Sequence, residues 1–383
     1  MDGSGSRRLS TRKGRSPYGS VKLYIHVKRN TTRLMVTIML CARVMAIGKP
    51  ISLEKMEIPK PRDNDVLVKV KDAGICGSDL HIKRGELDTA LIPMTLGHEG
   101  AGIVEEVGKN VTYPKVGDRV AIHYPIGCGH CRFCLRGYDN RCLSGWVGGT
   151  IDGTWAEYVR IPAANAIVFS ENVDFGEAAI CGCAVATPFH GVSQSKIEKG
   201  DNVVVFGAGG IGLHSVMWSK FFGAGKILVV DRKNGRLELA KSYGADVTIN
   251  SSIDNVMETI KKETNGWGAD VAIECTGADQ YIEQALKAIK LRGSKTNSGT
   301  VVSIGYRAKP FPPIDWWNLR EGSLMVSGSH VKCELEQIIR LLEMGKIDLS
   351  RSITHRISLQ EVNRGFELLE GKEEQVGRIV IEM

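Results

Sequence analysis

From about Val185 the chain alternates short apolar runs with amphipathic stretches. DNVVVFG, KILVVD, DVTIN, DVAIECTG, GTVVSIG and SLMVSGS read as strands. Most are continuous in Val and Ile rather than alternating, the pattern of strands buried on both faces. IGLHSVMWSKFF, RLELAKSYG, NVMETIKKET and YIEQALKAIK lie between them and suit helices. This alternation predicts a parallel, doubly wound sheet with helices on both faces. Gly223–Gly225 reads as a helix stop before a strand, and Ser294–Ser298 as a polar loop insertion. Residues 40–175 are different: VLVKVKDAG, GAGIVEEVG, GDRVAIHY and WAEYVRIP are short β segments punctuated by Gly, Pro and Asp. After residue 327 the chain returns to helix and strand outside the parallel sheet. The expected class is α/β, with a discontinuous β-rich domain (39–184 and 328–383) flanking a doubly wound domain (185–327).

Composition adds one correction to this picture. The net charge of +7 is misleading, because residues 1–44 hold ten Lys or Arg against the single acid Asp2. From Met45 onward there are 40 basic and 42 acidic residues, so the body lacks the character that steers proteins to nucleic acid or anionic lipid. Residues 1–38 read as a basic, disordered extension: a presequence, residues upstream of the true start, or an added tail. The first strand is expected within Leu40–Ile47. The apolar run Leu34–Ile47 is too short to span a bilayer and is broken by Arg43. No cleavable signal peptide is evident, so a reducing cytoplasm is expected. Cys41, Cys275 and Cys333 read as buried small hydrophobes.

Four cysteines stand close together, Cys128, Cys131, Cys134 and Cys142, within a lobe spanning 125–145. Short gaps let one folded-back lobe bring four thiolates to a point, as tetrahedral Zn²⁺ requires, and a closed four-sulfur shell leaves no open position for chemistry. Adjacent disulfides would close strained loops.

FGAGGIG places Gly207, Gly209 and Gly212 directly after one predicted strand and before a helix. In that context the glycines allow a tight turn, close approach to a pyrophosphate and close helix packing. Gly210 and Ile211 belong to the same turn. Asp231 ends the next strand, 19 residues after Gly212, where an acid accepts the adenosine-ribose hydroxyls and favours NAD over NADP. Arg232 and Lys233 follow it and weaken that preference.

GICGSDLH (74–81) and GHEGAGIVEEVG (97–108) bring Cys76, His98 and Glu99 into the β domain. At these motifs the chain resembles the zinc-dependent medium-chain alcohol dehydrogenase family, in its two-zinc, NAD-dependent branch. The resemblance covers Met39 to the C-terminus. It implies a GroES-like catalytic domain, a Rossmann domain, NAD and two Zn²⁺ per subunit. It also implies Cys76 and His98 as ligands of a catalytic zinc. Cys183, four residues before Thr187, is the expected third ligand, with Cys181 the alternative. Glu99 either visits the metal or tunes its field from behind, and Asp79 is placed to hold the His98 ring. Zinc would polarise the substrate oxygen while hydride passes to nicotinamide, and Ser78 with His81 resembles the family's proton relay. Arg378 matches an arginine that reaches the cofactor pyrophosphate, Ile211 should press on the nicotinamide, and Tyr124 with His123 should line the substrate pocket. Trp146, Trp155, Trp316 and Trp317 could serve pocket, interface or core.

The expected activity is oxidation of primary or secondary alcohols to aldehydes or ketones. Rivals are a polyol, sugar or amino-alcohol dehydrogenase of the same family, a zinc-free quinone reductase of this fold, and a non-catalytic zinc- and nucleotide-binding scaffold. The partners expected are a small alcohol or carbonyl compound, no nucleic acid and no membrane. The strand at 323–328 should lie at a sheet edge and pair between subunits of a dimer or tetramer.

Overall fold

The computed structural model describes residues 13–15, 21–24, 35–87, 90–289, 299–314, 319, 321–371 and 375–383. The SKTNS insertion, Trp316 and Trp317 lie outside them. The first part of the chain forms β1 (Lys13–Arg15), β2 (Val21–Tyr24), β3 (Met35–Val44), β4 (Ser52–Glu57), β5 (Asp65–Ile75), β6 (Met94–Thr95), β7 (Gly100–Val107), β8 (Arg119–Ile122), β9 (Tyr158–Pro162) and β10 (Ala166–Val168). Then come β11 (Asn202–Phe206), β12 (Lys226–Asp231), β13 (Val247–Asn250), β14 (Val271–Glu274), β15 (Thr300–Ser303) and β16 (Ser323–Val326). The chain closes with β17 (Ile353–Ser358) and β18 (Arg378–Glu382).

Among the described residues, β11–β16 form one parallel six-stranded sheet in the order β13-β12-β11-β14-β15-β16. Val203–Phe206 are buried throughout, as the continuous apolar run requires of a central strand. Strand order reverses at β11, between β12 and β14, so the crevice beyond the carboxyl ends of β11 and β14 is the expected ligand position. β16 occupies the sheet edge, and Val326 is exposed there.

The β-rich part is discontinuous in the way the sequence suggests. β18 lies between β5 and β17, pairing antiparallel with β5 in the register Ile379↔Ile75. Trp155, fully buried, packs edge-on against Phe366 at 5.7 Å and donates its indole N–H to the Gly74 carbonyl at 3.0 Å. Thus a β-domain loop, a strand end and the C-terminal helix Val362–Glu370 share one core.

Two placements differ from the sequence expectation. β3 begins at Met35, and β1 and β2 pair ahead of it, so a strand ladder occupies part of the segment read as a disordered extension. A basic composition does not exclude strand pairing when a neighbouring edge offers backbone partners. The helix Lys332–Glu343 follows the expected boundary at 328, yet Leu335, Ile338, Ile339 and Leu342 enter the same core as Val203 and Ile227. Its apolar stripe packs on the helix Ala186–Gln194 and on the turn Cys181–Val185, in a core that residues of both domains share. Among the described residues, no helix is long and apolar enough to cross a membrane.

Candidate active site

Cys76 is the N-cap of the helix Gly77–Arg84. Asp79, fully buried, accepts the Cys76 backbone N–H at 2.8 Å with Oδ2 and sets Oδ1 3.3 Å from Nδ1 of His98. The second contact is one of charge, too poorly aligned to count as a hydrogen bond. One carboxylate thus fixes a backbone beside one sulfur and the ring of the next ligand candidate. Burial opposes charge on His98, but Asp79 and the Cys76 sulfur outweigh it and hold its pKa well above the ordinary value.

The second sulfur arrives on a π-helical turn, Cys181–Val185, between the helices Phe175–Ile180 and Ala186–Gln194. Wider turns of this kind recur at functional sites because they re-aim a side chain. Here Cys183 joins Cys76, His98 and Glu99, all buried, with donor atoms within 4.8 Å of one another. Cys181 instead packs into the apolar core. Cys183 donates its S–H to Cys76, so the two share one proton. Cys76 is held well below the usual thiol range, and Cys183 is pushed well above it. Two thiols, an imidazole and a carboxylate in a closed pocket suit Zn²⁺, which would replace that shared proton.

Glu99 is fully buried. Its Oε1 accepts the Ala184 N–H at 3.1 Å and its Oε2 pairs with Arg378 at 2.5 Å. Burial lifts its pKa to about 7 despite Arg378. Gly74 is required beside it, since a Cβ there would lie 1.9 Å from Glu99 Oε2.

The four-cysteine lobe is a second convergence, with all four sulfurs within 4.8 Å. Cys128 and Cys134 are 4.0 Å apart and Cys131 and Cys142 3.9 Å. A tetrahedron with Zn–S near 2.3 Å has edges of about 3.8 Å, so the lobe fits the ion without rearrangement. All ten cysteines are free thiols.

Between the domains runs a cleft of about 530 Å³. Cys76, Ser78, His81, Tyr124, Cys183 and Thr187 line one side, and Gly209, Gly210, Ile211 and Arg378 the other. Gly207 adopts a left-handed φ of +94°, and a Cβ on Gly212 would lie 1.7 Å from the Gly207 carbonyl, so these two positions require glycine. Gly209 caps the following helix with no side chain, which leaves its first N–H groups free to meet phosphate. Arg378 is buried against Gly210 rather than exposed on an edge strand. Asp231 accepts the N–H of Ala208 at 2.8 Å and of Lys233 at 2.9 Å, tying the glycine turn to the end of β12.

Some expected residues fall elsewhere. Arg232 is exposed and outside the cleft lining; one turn later Arg236 lines it, with a buried Nε that has no partner. A cation five residues past the strand-terminal acid was the available signal. His123 turns away from the pocket: its Nε2–H donates to Asp139 of the cysteine lobe at 2.5 Å, and its Nδ1 accepts from His330 at 3.1 Å. Trp146 sits edge-on to His98 at 5.7 Å, whereas Trp155 is core. Cys333 is exposed on the outer face of its helix, and Cys275 is half-buried on the cleft wall.

Two family models match, the alcohol dehydrogenase GroES-like domain over residues 62–171 and the zinc-binding dehydrogenase domain over 210–344. An alcohol dehydrogenase of Geobacillus stearothermophilus is 32% identical over 351 residues, covering 90% of this chain and 100% of its own. The chain belongs to the zinc-dependent medium-chain alcohol dehydrogenase family. An NAD-dependent alcohol dehydrogenase of Saccharolobus solfataricus is likewise 32% identical, over 90% of this chain and 99% of its own. A zinc-binding dehydrogenase target from Sinorhizobium meliloti 1021, solved with NADP, superposes with a TM-score of 0.83 at 31% identity, covering 90% and 99%. As a member of this family the protein is an oxidoreductase, an alcohol dehydrogenase working with zinc and a nicotinamide dinucleotide.

Proposed function

We propose that this alcohol dehydrogenase oxidises primary or secondary alcohols with NAD, using one catalytic and one structural zinc per chain. The observation that carries the reading is the convergence of Cys76, His98 and Cys183 on the cleft floor, opposite the glycine turn. Cys76, His98 and Cys183 would hold the catalytic ion, with Glu99 behind them and Asp79 fixing the imidazole; Cys128, Cys131, Cys134 and Cys142 would hold the other. When bound in the first site, zinc supplies a Lewis acid that makes the alcohol oxygen more acidic. Ser78 would take the alcohol proton and hand it towards His81; its Oγ, 3.9 Å from the Cys76 sulfur, supports that role. Ile211 and Thr187, which line the cleft, would help to shape the space around the reacting carbon.

On the cofactor side, Gly207, Gly209, Gly210 and Gly212 would receive the pyrophosphate, with Arg378 neutralising it. Asp231 would take the ribose hydroxyls, with Arg232 and Arg236 beside it. Asp231 supports NAD. Unpaired cysteines support a reducing, cytoplasmic setting, and the exposed edge strand β16 supports a dimer or tetramer. A polyol or amino-alcohol substrate is the second reading: Ser327 and Ser329 line the cleft, and their buried hydroxyls lack partners. Metal content per chain, measured beside NAD- and NADP-linked oxidation of primary, secondary and polyhydroxy alcohols, tests both readings. One zinc per chain, or no activity on any alcohol, would overturn the proposal.

A further inference from the structure

His81 sits at the cleft rim, and two contacts hold its ring, with a third joining the residues that make them. Its Nδ1–H donates to Glu86 Oε2 at 2.5 Å. Tyr306 reaches across from the loop after β15 and lies against the imidazole at 4.8 Å between ring centroids. The Tyr306 hydroxyl also donates to the Glu86 carbonyl at 2.7 Å. The local chain makes this possible. Gly85 ends the helix in the left-handed region (φ +73°), and the Glu86 N–H then bonds back to the His81 carbonyl at 2.8 Å. The chain is thereby folded so that a carboxylate meets the imidazole five residues before it.

We infer that Glu86 is a positioning residue for proton transfer, holding His81 in one tautomer with Tyr306 as its clamp. The inference rests on the Ser78–His81 relay proposed above. With Nδ1–H committed to a carboxylate, neutral His81 keeps its lone pair on Nε2. During oxidation the O–H bond of the alcohol breaks and its electron pair stays on oxygen. The proton passes through Ser78 to Nε2 of His81 and on to water, and the C–H pair leaves as hydride to the nicotinamide. The transient imidazolium is offset by Glu86. The other charged groups at this rim are Arg84, 4.0 Å from Glu86, Arg307, paired with Asp279, and Lys309.

The test is the pH profile of alcohol oxidation by the full, metal-loaded enzyme carrying Glu86→Gln. Glu86 offers both an acceptor for the Nδ1–H and a charge facing the imidazolium formed in the transfer. Removing that charge moves the acid limb of kcat to lower pH by roughly half to one unit. The plateau falls about 3- to 10-fold, because the ring is less well oriented. The KM for the cofactor stays unchanged, Glu86→Asp restores part of the plateau, and Tyr306→Phe gives a smaller shift in the same direction. An unmoved limb in both Glu86→Gln and Tyr306→Phe overturns the inference, whatever happens to the plateau. His81→Gln separates the layers: wild-type kcat and pH profile there sink the relay itself, whereas a slow His81→Gln beside a silent Glu86→Gln sinks only the role of Glu86.

Discussion

Glu99 and Arg378, 279 positions apart in sequence, form a buried ion pair at 2.5 Å that joins the metal-ligating cluster to the glycine turn. Arg378 enters on β18, the last strand, so the chain's end completes the wall where cofactor phosphates would lie. The guanidinium is thus held by a carboxylate at the cleft wall, beside Gly210 of the glycine turn.

Replacing Arg378 with Ala leaves Glu99 buried and without its cation, a defect of about 3–5 kcal/mol in stability. Arg378→Ala should lower Tm and raise the Kd for the dinucleotide at least ~10-fold, the loss of a charge-assisted phosphate contact. Scanning calorimetry and cofactor titration read the two effects separately.

Cys76→Ala should remove one metal ion per chain and reduce turnover by at least ~10³-fold, since several kcal/mol of charge stabilisation depend on the ion. Dinucleotide binding should persist, because the glycine turn and Asp231 belong to the other sheet. A folded variant unable to bind the dinucleotide would falsify this division of labour.

Cys128→Ser should release the other ion. The lobe has little apolar core of its own: Leu135 and Leu143 are exposed, and its 3₁₀ turns at Cys134–Arg136 and Asp139–Arg141 are short. We expect a fall of about 5 °C or more in Tm and faster proteolysis within 125–145. Substrate KM should rise as well, because Asp139 of the lobe anchors His123 and, through it, His330 beside Tyr124.

Asp231→Asn keeps an acceptor oxygen for the glycine turn but removes the charge that repels a 2′-phosphate. The ratio of NADP to NAD efficiency should climb by roughly 10-fold or more, one charge contact's worth. Steady-state kinetics with both cofactors measures it, and an unchanged ratio removes Asp231 from the ribose site.

His214 gives a pH dependence of stability. It is fully buried beside Gly210 and Ser352, and burial, reinforced by Arg378, lowers its pKa to about 3. The folded value lies below the unfolded one of about 6.5, so the unfolded state binds the extra proton first. This group's contribution is complete above pH 6.5 and is lost as pH falls towards 3, with a slope of up to about 1.4 kcal/mol per pH unit. Urea midpoints for the wild type and His214→Asn between pH 7 and 5 should diverge, the variant falling less steeply.

Much of this arrangement was readable from sequence because its signals are local. Apolar runs such as Val203–Val205 announce central strands, and the glycines at 207, 209 and 212 and the cysteines at 128–142 have meaning at their own spacing. Cys181 and Cys183 could not be separated that way, since a π turn is set by packing of the flanking helices. Arg236, Glu86 and Tyr306 were missed for a related reason. Nothing near Tyr306 predicts that it will cover His81, 225 positions earlier. The sheet ladder ahead of Met35 was hidden by composition, because backbone pairing needs no apolar pattern.

The π turn at Cys181–Val185 also sets how fragile the ligand set is to insertion and deletion. Such a turn holds one more residue than an α-helical turn, so deleting Gly182 alone would restore ordinary winding. Without the wider turn Cys183 would take an ordinary helical direction instead of the one that now aims it at Cys76 and His98. Ligand identity and spacing would survive in the other elements, yet the Cys183 sulfur would leave the cluster. The candidate metal site thus depends on the winding of one helical turn as much as on its cysteines.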